Sequence, residues 1–387
     1  MRTIAVVTVA RSDFGIYRQV LRRIQQAPEL DLQLIAAGMH LSPEFGTTVD
    51  EITRAGFAVA ERVEMLLSSD TPEGVAKSMG VGMMGFAQVY ARARPDLLVV
   101  LGDRFEMFAA AAAALPFTIP IAHIHGGEAT EGLIDEPIRH AITKMAHLHF
   151  VSMERYRRRV IQMGEAPWRV TVSGAPALDN LVDGDLLSGD DLKQAHGINV
   201  RTPPLLVTYH PVTLEYEDTG RQVDNLLAAL EMVDVPVVFT YPNADTSGRL
   251  IIEKTKAYVA RHPDAQVAVS LGTKGYFSLM RHAAAMVGNS SSGIIEAASF
   301  GLPVVNVGNR QRGRTHGPNV MDVGYDATAI AGAIRRVTKP KFRKSIAGME
   351  NPYGDGRAAE RIVDVLKSAE LGHELLLKHF HEVPETV

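Results

Sequence analysis

Short runs of β-branched and leucine-rich sequence alternate with longer stretches of helical spacing along most of this chain, and that alternation limits its fold more than any other feature. Ile4–Val9, Leu32–Ala37, Leu97–Leu101, Ile119–Ile124, His149–Ser152 and Arg169–Ser173 make one series. Leu205–Tyr209, Val235–Thr240, Gln266–Ser270, Ala285–Gly288 and Pro303–Val307 make a second. A strand separated from the next by a helix pairs with it in parallel, so each series predicts a parallel sheet covered by helices. Between the two, Leu178–Pro204 loses the rhythm and gathers Asp183, Gly184, Asp185, Gly189, Asp190, Asp191, Gly197 and the pair Pro203-Pro204. At 387 residues the chain also exceeds what one core usually supports. The expected fold is α/β, with two doubly wound domains facing across a cleft, over residues 1–177 and 178–360. A C-terminal helix and tail, 361–387, in which Ile362, Val363 and Leu366 keep helical spacing, is expected to pack back on the first domain or to fray.

A net charge of -4, with both signs spread along the sequence, offers no field for nucleic acid or an anionic membrane, so any anion has to be held locally. There is no cysteine, which removes disulfides, thiolate catalysis and cysteine-ligated metals. The N-terminal run Thr3–Val9 is too short for a signal segment and reads as a first strand, and no stretch of about eighteen apolar residues occurs that would span a bilayer. A cytoplasmic location is the expectation.

The place to hold an anion is Gly288-Asn289-Ser290-Ser291-Ser292-Gly293. Small apolar residues precede it as a strand, and Ile294 to Phe300 follow as a helix that closes at Gly301. Unpaired N–H groups, the positive end of the helix dipole and three hydroxyls would converge on a phosphate, and Glu296 one turn later could accept from ribose hydroxyls. An ordinary serine N-cap is the plainer alternative. Gly80-Val81-Gly82-Met83-Met84-Gly85 fits the dinucleotide glycine pattern literally, but it sits inside a helical stretch rather than after a strand, so close helix packing is the better reading.

Chemistry concentrates at expected strand ends. Arg11 follows the first strand and could clamp a phosphate, the plain alternative being an Arg–Asp pair with Asp13 as a helix N-cap. Asp103, His125, Glu128 and Asp135 leave neighbouring strand ends within the first half, and carboxylates beside an imidazole suit acid–base work at neutral pH. His123 and His125 share a strand face, yet no third metal ligand arrives with suitable spacing. In the second half Tyr209-His210-Pro211 and Tyr241-Pro242-Asn243 end strands, and Arg310, Arg312 and Arg314 gather in one glycine-containing loop, a pattern that suits a diphosphate.

Taken in order, ARSDFG, LGDRFE, HIHGGE, DEPIRHAITK, HPVT, PNAD, GNSSSGIIE and NRQRGR resemble the hydrolysing UDP-N-acetylglucosamine 2-epimerases of bacterial sialic-acid synthesis, over about residues 3 to 365. The resemblance implies a GT-B-like fold of two Rossmann-like domains and conversion of UDP-N-acetylglucosamine and water to N-acetylmannosamine and UDP. It implies anti-elimination through a 2-acetamidoglucal followed by hydration, with no metal and no nicotinamide cofactor, in a homo-oligomer, dimer or tetramer. By the same resemblance Arg11, His210, Asn243, Ser290, Ser291, Glu296, Arg310 and Arg314 hold the UDP part, while Asp103, His125, Glu128 and Asp135 serve proton transfer at the sugar. His125 departs from relatives of the animal type, which carry a glutamate there, and this leaves acid and base unassigned. Relatives with a similar GGE-x-T-x-G segment act instead on UDP-2,4-diacetamido-2,4,6-trideoxyglucose, and Glu128–Gly132 keeps that substrate open. A glycosyltransferase of the same architecture and a non-catalytic sugar-nucleotide sensor are the remaining alternatives.

Overall fold

The computed structural model describes residues 1–43, 47–68, 71–131, 134–182, 186–241, 248–268 and 271–383. The chain divides into two compact units, the first made of Met1–Glu128, Ile134–Asn180 and Tyr353–Val387 and the second of Ala129–Leu133 and Leu181–Pro352.

The first unit is built on seven strands, β1 (Arg2–Thr8), β2 (Leu30–Ala37), β3 (Val59–Val63), β4 (Leu97–Leu101), β5 (Ile121–Ile124), β6 (Leu148–Val151) and β7 (Val170–Val172). Their order is β3-β2-β1-β4-β5-β6-β7, and every pairing is parallel. Central strands such as β4 are buried at every residue, because crossover helices cover both faces of a parallel sheet. The helix Pro72–Ala93 begins with proline in its first turn behind Thr71, whose hydroxyl accepts from the Gly74 N–H at 3.1 Å. It contains the whole glycine–methionine stretch. A Cβ on Gly82 would lie 2.5 Å from Met65 Cε and 3.2 Å from Ala109 Cβ, so that glycine lets the helix approach its neighbours closely. The partner helix Phe105–Ala114 contributes an almost continuous run of buried alanines. Ala358–Ser368 returns to this unit and buries Ile362, Val363 and Leu366 in its core.

The second unit repeats the plan with β8 (Leu205–Thr208), β9 (Val237–Thr240), β10 (Ala265–Ala268), β11 (Ala285–Gly288), β12 (Val304–Val307) and β13 (Val320–Val323). The order β10-β9-β8-β11-β12-β13 is again wholly parallel. Both units are thus Rossmann-like. In each, the chain winds outward one way from its first strand and then starts again on that strand's other side, which creates a switch point between β1 and β4 and another between β8 and β11. Open α/β sheets leave a crevice at the carboxyl ends of such a strand pair, and ligands bind there. Ala10-Arg11 and Gly102-Asp103 follow the first pair, and Tyr209-His210 and Asn289-Ser290 follow the second.

Candidate active site

At the switch point of the first unit, β4 is followed by Gly102, whose φ is +68°, and the turn presents Asp103. Arg139, from the second turn of the helix Asp135–Met145, donates Nη2 to Asp103 Oδ2. Its Nη1 reaches the Glu128 carbonyl and Glu136 Oε2, both at 3.0 Å. Arg139 is 1% exposed, and a buried guanidinium is tolerable only when its donors meet acceptors, as they do here. It therefore ties together the turn after β4, the loop after β5 and the start of its own helix. Asp135 sits at the first position of that helix, behind Ile134 as N-cap, so it is not itself the capping residue.

His123 on β5 serves structure. Its Nε2 lies 2.7 Å from the Gly102 carbonyl and its Nδ1 3.2 Å from Thr143 Oγ1, so both ring nitrogens are engaged within the unit. Burial pushes its pKa down to about 3, which keeps the ring neutral. His125, two residues on, belongs to a different environment. Its φ of +65° is left-handed, which a non-glycine residue adopts at a cost, and its N–H is held by the Phe150 carbonyl at 2.9 Å. That twist brings His125 Nδ1 to 2.6 Å from Glu128 Oε1, and the same oxygen accepts from Ser152 Oγ at 3.1 Å. Gly127 makes the turn possible, since a Cβ there would meet the Tyr156 carbonyl oxygen at 2.7 Å. Glu128 and Ser152 are both buried.

The turn after β1 differs from the sequence expectation. Ala10 is the N-cap of the helix Arg11–Gln26, and Asp13 lies inside the first turn, buried, rather than capping it. Burial lifts its carboxyl to about 6, with Arg104 opposing that rise and Glu106 adding to it. Its Oδ2 is buried without a hydrogen-bond partner. Arg11 stands exposed at the head of the same helix.

In the second unit, Gly288 at the end of β11 has φ +135°, and a Cβ on it would fall 2.0 Å from the Thr208 carbonyl oxygen, so only glycine fits. Asn289 then joins the ends of β8 and β11: His210 N–H donates to its Oδ1 and its Nδ2 donates to the His210 carbonyl, both at 2.7 Å. The Asn289 carbonyl accepts from Arg310 Nη1 at 3.1 Å and Gln311 Nε2 at 2.8 Å. Ser290 caps the following helix, its Oγ accepting from Ser292 N–H at 3.3 Å. That helix, Ser291–Ile295, is short and passes into 3-10 turns over Ala297–Phe300 before Gly301. Its macrodipole is correspondingly small, so what the loop offers an anion is local N–H and hydroxyl donors rather than a helix dipole. His210 is buried, and burial, helped by Arg310, drives its pKa well below the ordinary value, so its ring is neutral. Of the three loop arginines, Arg310 turns to the Asn289 carbonyl and Arg312 pairs with Glu131 Oε2 at 3.3 Å on the surface. Arg314 donates its N–H to the Gln311 carbonyl at 3.1 Å. Asn243 lies outside the described residues.

The first unit thus brings Asp103, His125 and Glu128 into one hydrogen-bonded group through Arg139, and the second gathers His210, Ser290 and Arg310 around Asn289. Sequence reasoning gave no role to Arg139 or Ser152. An arginine four residues into an acidic helix start reads as a surface pair, and nothing local shows that it is buried.

A family model described as UDP-N-acetylglucosamine 2-epimerase matches residues 22–367. The chain is 38% identical over 379 residues to a UDP-N,N'-diacetylbacillosamine 2-epimerase (hydrolyzing) of Legionella pneumophila, covering 98% of this chain and 99% of that protein. It is 37% identical over 346 residues to a GDP/UDP-N,N'-diacetylbacillosamine 2-epimerase (hydrolyzing) of Campylobacter jejuni, with 89% of each covered. The crystal structure of UDP-GlcNAc 2-epimerase from Neisseria meningitidis bound to UDP-GlcNAc superposes with a TM-score of 0.80 at 19% identity, covering 95% of this chain and 99% of that one.

Proposed function

The chain belongs to the UDP-N-acetylglucosamine 2-epimerase family, whose hydrolysing members release UDP and a free 2-epimerised sugar, and we propose that its substrate is UDP-2,4-diacetamido-2,4,6-trideoxyglucose, the N,N'-diacetylbacillosamine nucleotide. One observation carries the choice of sugar: two relatives named for that substrate are 38% and 37% identical to this chain over most or nearly all of its length. UDP-N-acetylglucosamine, which bears hydroxyls where the other sugar has a 4-acetamido group and a 6-methyl, is the second reading, favoured by the order of sequence motifs.

In this reading His210, Ser290, Ser291, Glu296, Arg310, Arg314 and Arg11, with Asn243, hold the nucleotide. Asp103, His125, Glu128 and Asp135 surround the sugar. A base removes the C2 proton while the C1–O bond breaks and its electron pair leaves on UDP, giving the 1,2-unsaturated sugar. Water then adds its oxygen to C1 as a proton returns to C2 from the opposite face. Donors at the diphosphate lower the barrier by countering the charge that develops on the leaving oxygen. Neither step calls for redox chemistry.

Incubation with each UDP-sugar, followed by proton NMR of the products, tests the proposal. The expected outcome is free 2,4-diacetamido-2,4,6-trideoxymannose and UDP, with kcat/KM for the diacetamido substrate at least about tenfold above that for UDP-N-acetylglucosamine, the scale of one or two well-made polar contacts. Preference for UDP-N-acetylglucosamine would reverse the choice, and inertness toward both would remove the enzyme reading.

A further inference from the structure

The loop after β5 holds a histidine, a carboxylate and a hydroxyl in one line, and that line separates the atom that moves a proton from the groups that aim it. Glu128 Oε1 receives His125 Nδ1 at 2.6 Å and Ser152 Oγ at 3.1 Å. A carboxylate accepts and does not donate, so in the neutral imidazole the proton resides on Nδ1 and the lone pair on Nε2. Glu128 is 2% exposed and Ser152 3%, whereas His125, at 9%, is the most open member of the line. The backbone favours the same division. His125 is held left-handed at φ +65° by its N–H bond to the Phe150 carbonyl, and the Glu128 carbonyl is fixed by Arg139. A strained residue locked at both ends of its loop is positioned more tightly than packing alone requires.

We propose that Glu128 and Ser152 are positioning residues that fix the tautomer of His125, leaving His125 Nε2 as the base that takes the C2 proton. This rests on the reading of the chain as a hydrolysing 2-epimerase and divides the roles within its acid–base group. When Nε2 takes the C2 proton, C1=C2 forms and the C1–O pair leaves on UDP. The imidazolium so formed is countered by the Glu128 carboxylate, and its proton later passes to solvent. A separate group returns a proton to C2 from the other face. Ser152 donates to Glu128 and keeps the accepting oxygen turned toward the ring.

Ring nitrogen NMR of the resting enzyme reads the arrangement without any substrate, with His125 identified by difference from His125→Asn. The expected spectrum of the neutral ring shows Nδ1 protonated and Nε2 bare, with this preference weakened in Glu128→Gln and retained in Ser152→Ala. In turnover, Glu128→Gln should lower kcat by about 10²-fold with KM changed less than about threefold, and Ser152→Ala by several-fold. A ring protonated on Nε2 in the wild type would overturn the proposal. So would a Glu128→Gln enzyme with normal kcat, or one with abolished turnover and an unaltered ring tautomer, which would make Glu128 itself the proton carrier. If the tautomer is as expected and neither UDP-sugar is consumed, the assigned reaction fails while the positioning of His125 stands.

Discussion

Two side chains of the first unit are placed against their ordinary preference, and each gives a measurable consequence. Arg139 is a fully buried cation whose acceptors are Asp103, Glu136 and the Glu128 carbonyl. Removing it takes the guanidinium away from Asp103 and Glu136 and loosens the turn that presents Asp103, so Arg139→Met should cost about 3–5 kcal/mol of stability. It should also depress kcat more than UDP affinity, and denaturant titration with UDP calorimetry measures both; unchanged stability would mean the guanidinium contributes nothing net. Asp13 has the opposite problem, a buried carboxyl raised from 3.8 to about 6 by desolvation. A folded-state pKa above the unfolded value means that stability present below about pH 4 is lost as pH rises through 6, where the folded state must ionise a buried group. Asp13→Asn escapes that loss. Relative to wild type it should gain about 3 kcal/mol between pH 4 and pH 7, from a shift of roughly two units at 1.36 kcal/mol each. Parallel pH curves for the two proteins would show that Asp13 titrates in the fold as it does in the unfolded chain.

Elements explain what the sequence could and could not disclose. The β11 loop was legible because its glycine, asparagine and serines are each needed where they fall: Gly288 admits no Cβ, Asn289 bridges two strand ends, and Ser290 caps. Ser290→Ala with Ser291→Ala should weaken UDP binding by about 1–3 kcal/mol while the fold persists, and unaltered affinity by calorimetry would remove the phosphate role. Strands β3 and β13 escaped sequence reading for a common reason. Both are edge strands that carry charged and exposed residues, Val-Ala-Glu-Arg-Val and Val-Met-Asp-Val, and so lack the continuous apolar run that marks a central parallel strand. Arg139 and Ser152 escaped because their importance comes from contacts 36 and 24 residues away, which no local pattern carries. The C-terminal segment is held by contacts equally distant in sequence: Arg169 donates to the carbonyls of Leu375, Glu374 and Leu377, and Lys378 reaches buried Glu165 at 2.8 Å. Burial alone would raise the Glu165 carboxyl, but hydrogen bonds from His149, Lys144 and Lys378 hold it at about 2. Its contribution is therefore present above pH 4.5 and lost as pH falls toward 2.

At the scale of the whole molecule, each unit has an apolar core of its own and the proposed chemistry is spread over both units. The apolar side chains around β1, β4 and β5 form one cluster and those around β8, β11 and β12 another. Most of the residues assigned to the nucleotide, namely His210, Ser290, Ser291, Glu296, Arg310 and Arg314, belong to the second unit, and the proton-transfer group belongs to the first. A ligand that binds one folded unit stabilises that unit by RT ln(1 + [L]/Kd), about 2.7 kcal/mol at a hundredfold excess over Kd, and has no such hold on a unit it does not touch. The chain's single tryptophan, Trp168, lies in the first unit, its ring beneath the Arg169 guanidinium, so its fluorescence follows the first unit alone. Far-ultraviolet circular dichroism follows both. Saturating UDP should therefore raise the midpoint of a dichroism transition by several degrees while the tryptophan-monitored midpoint moves far less, Arg11 being the first unit's one assigned contact with the nucleotide. Equal shifts by the two probes would mean that the units unfold as one cooperative body, and no shift by either would take the nucleotide away from the β8–β11 switch point.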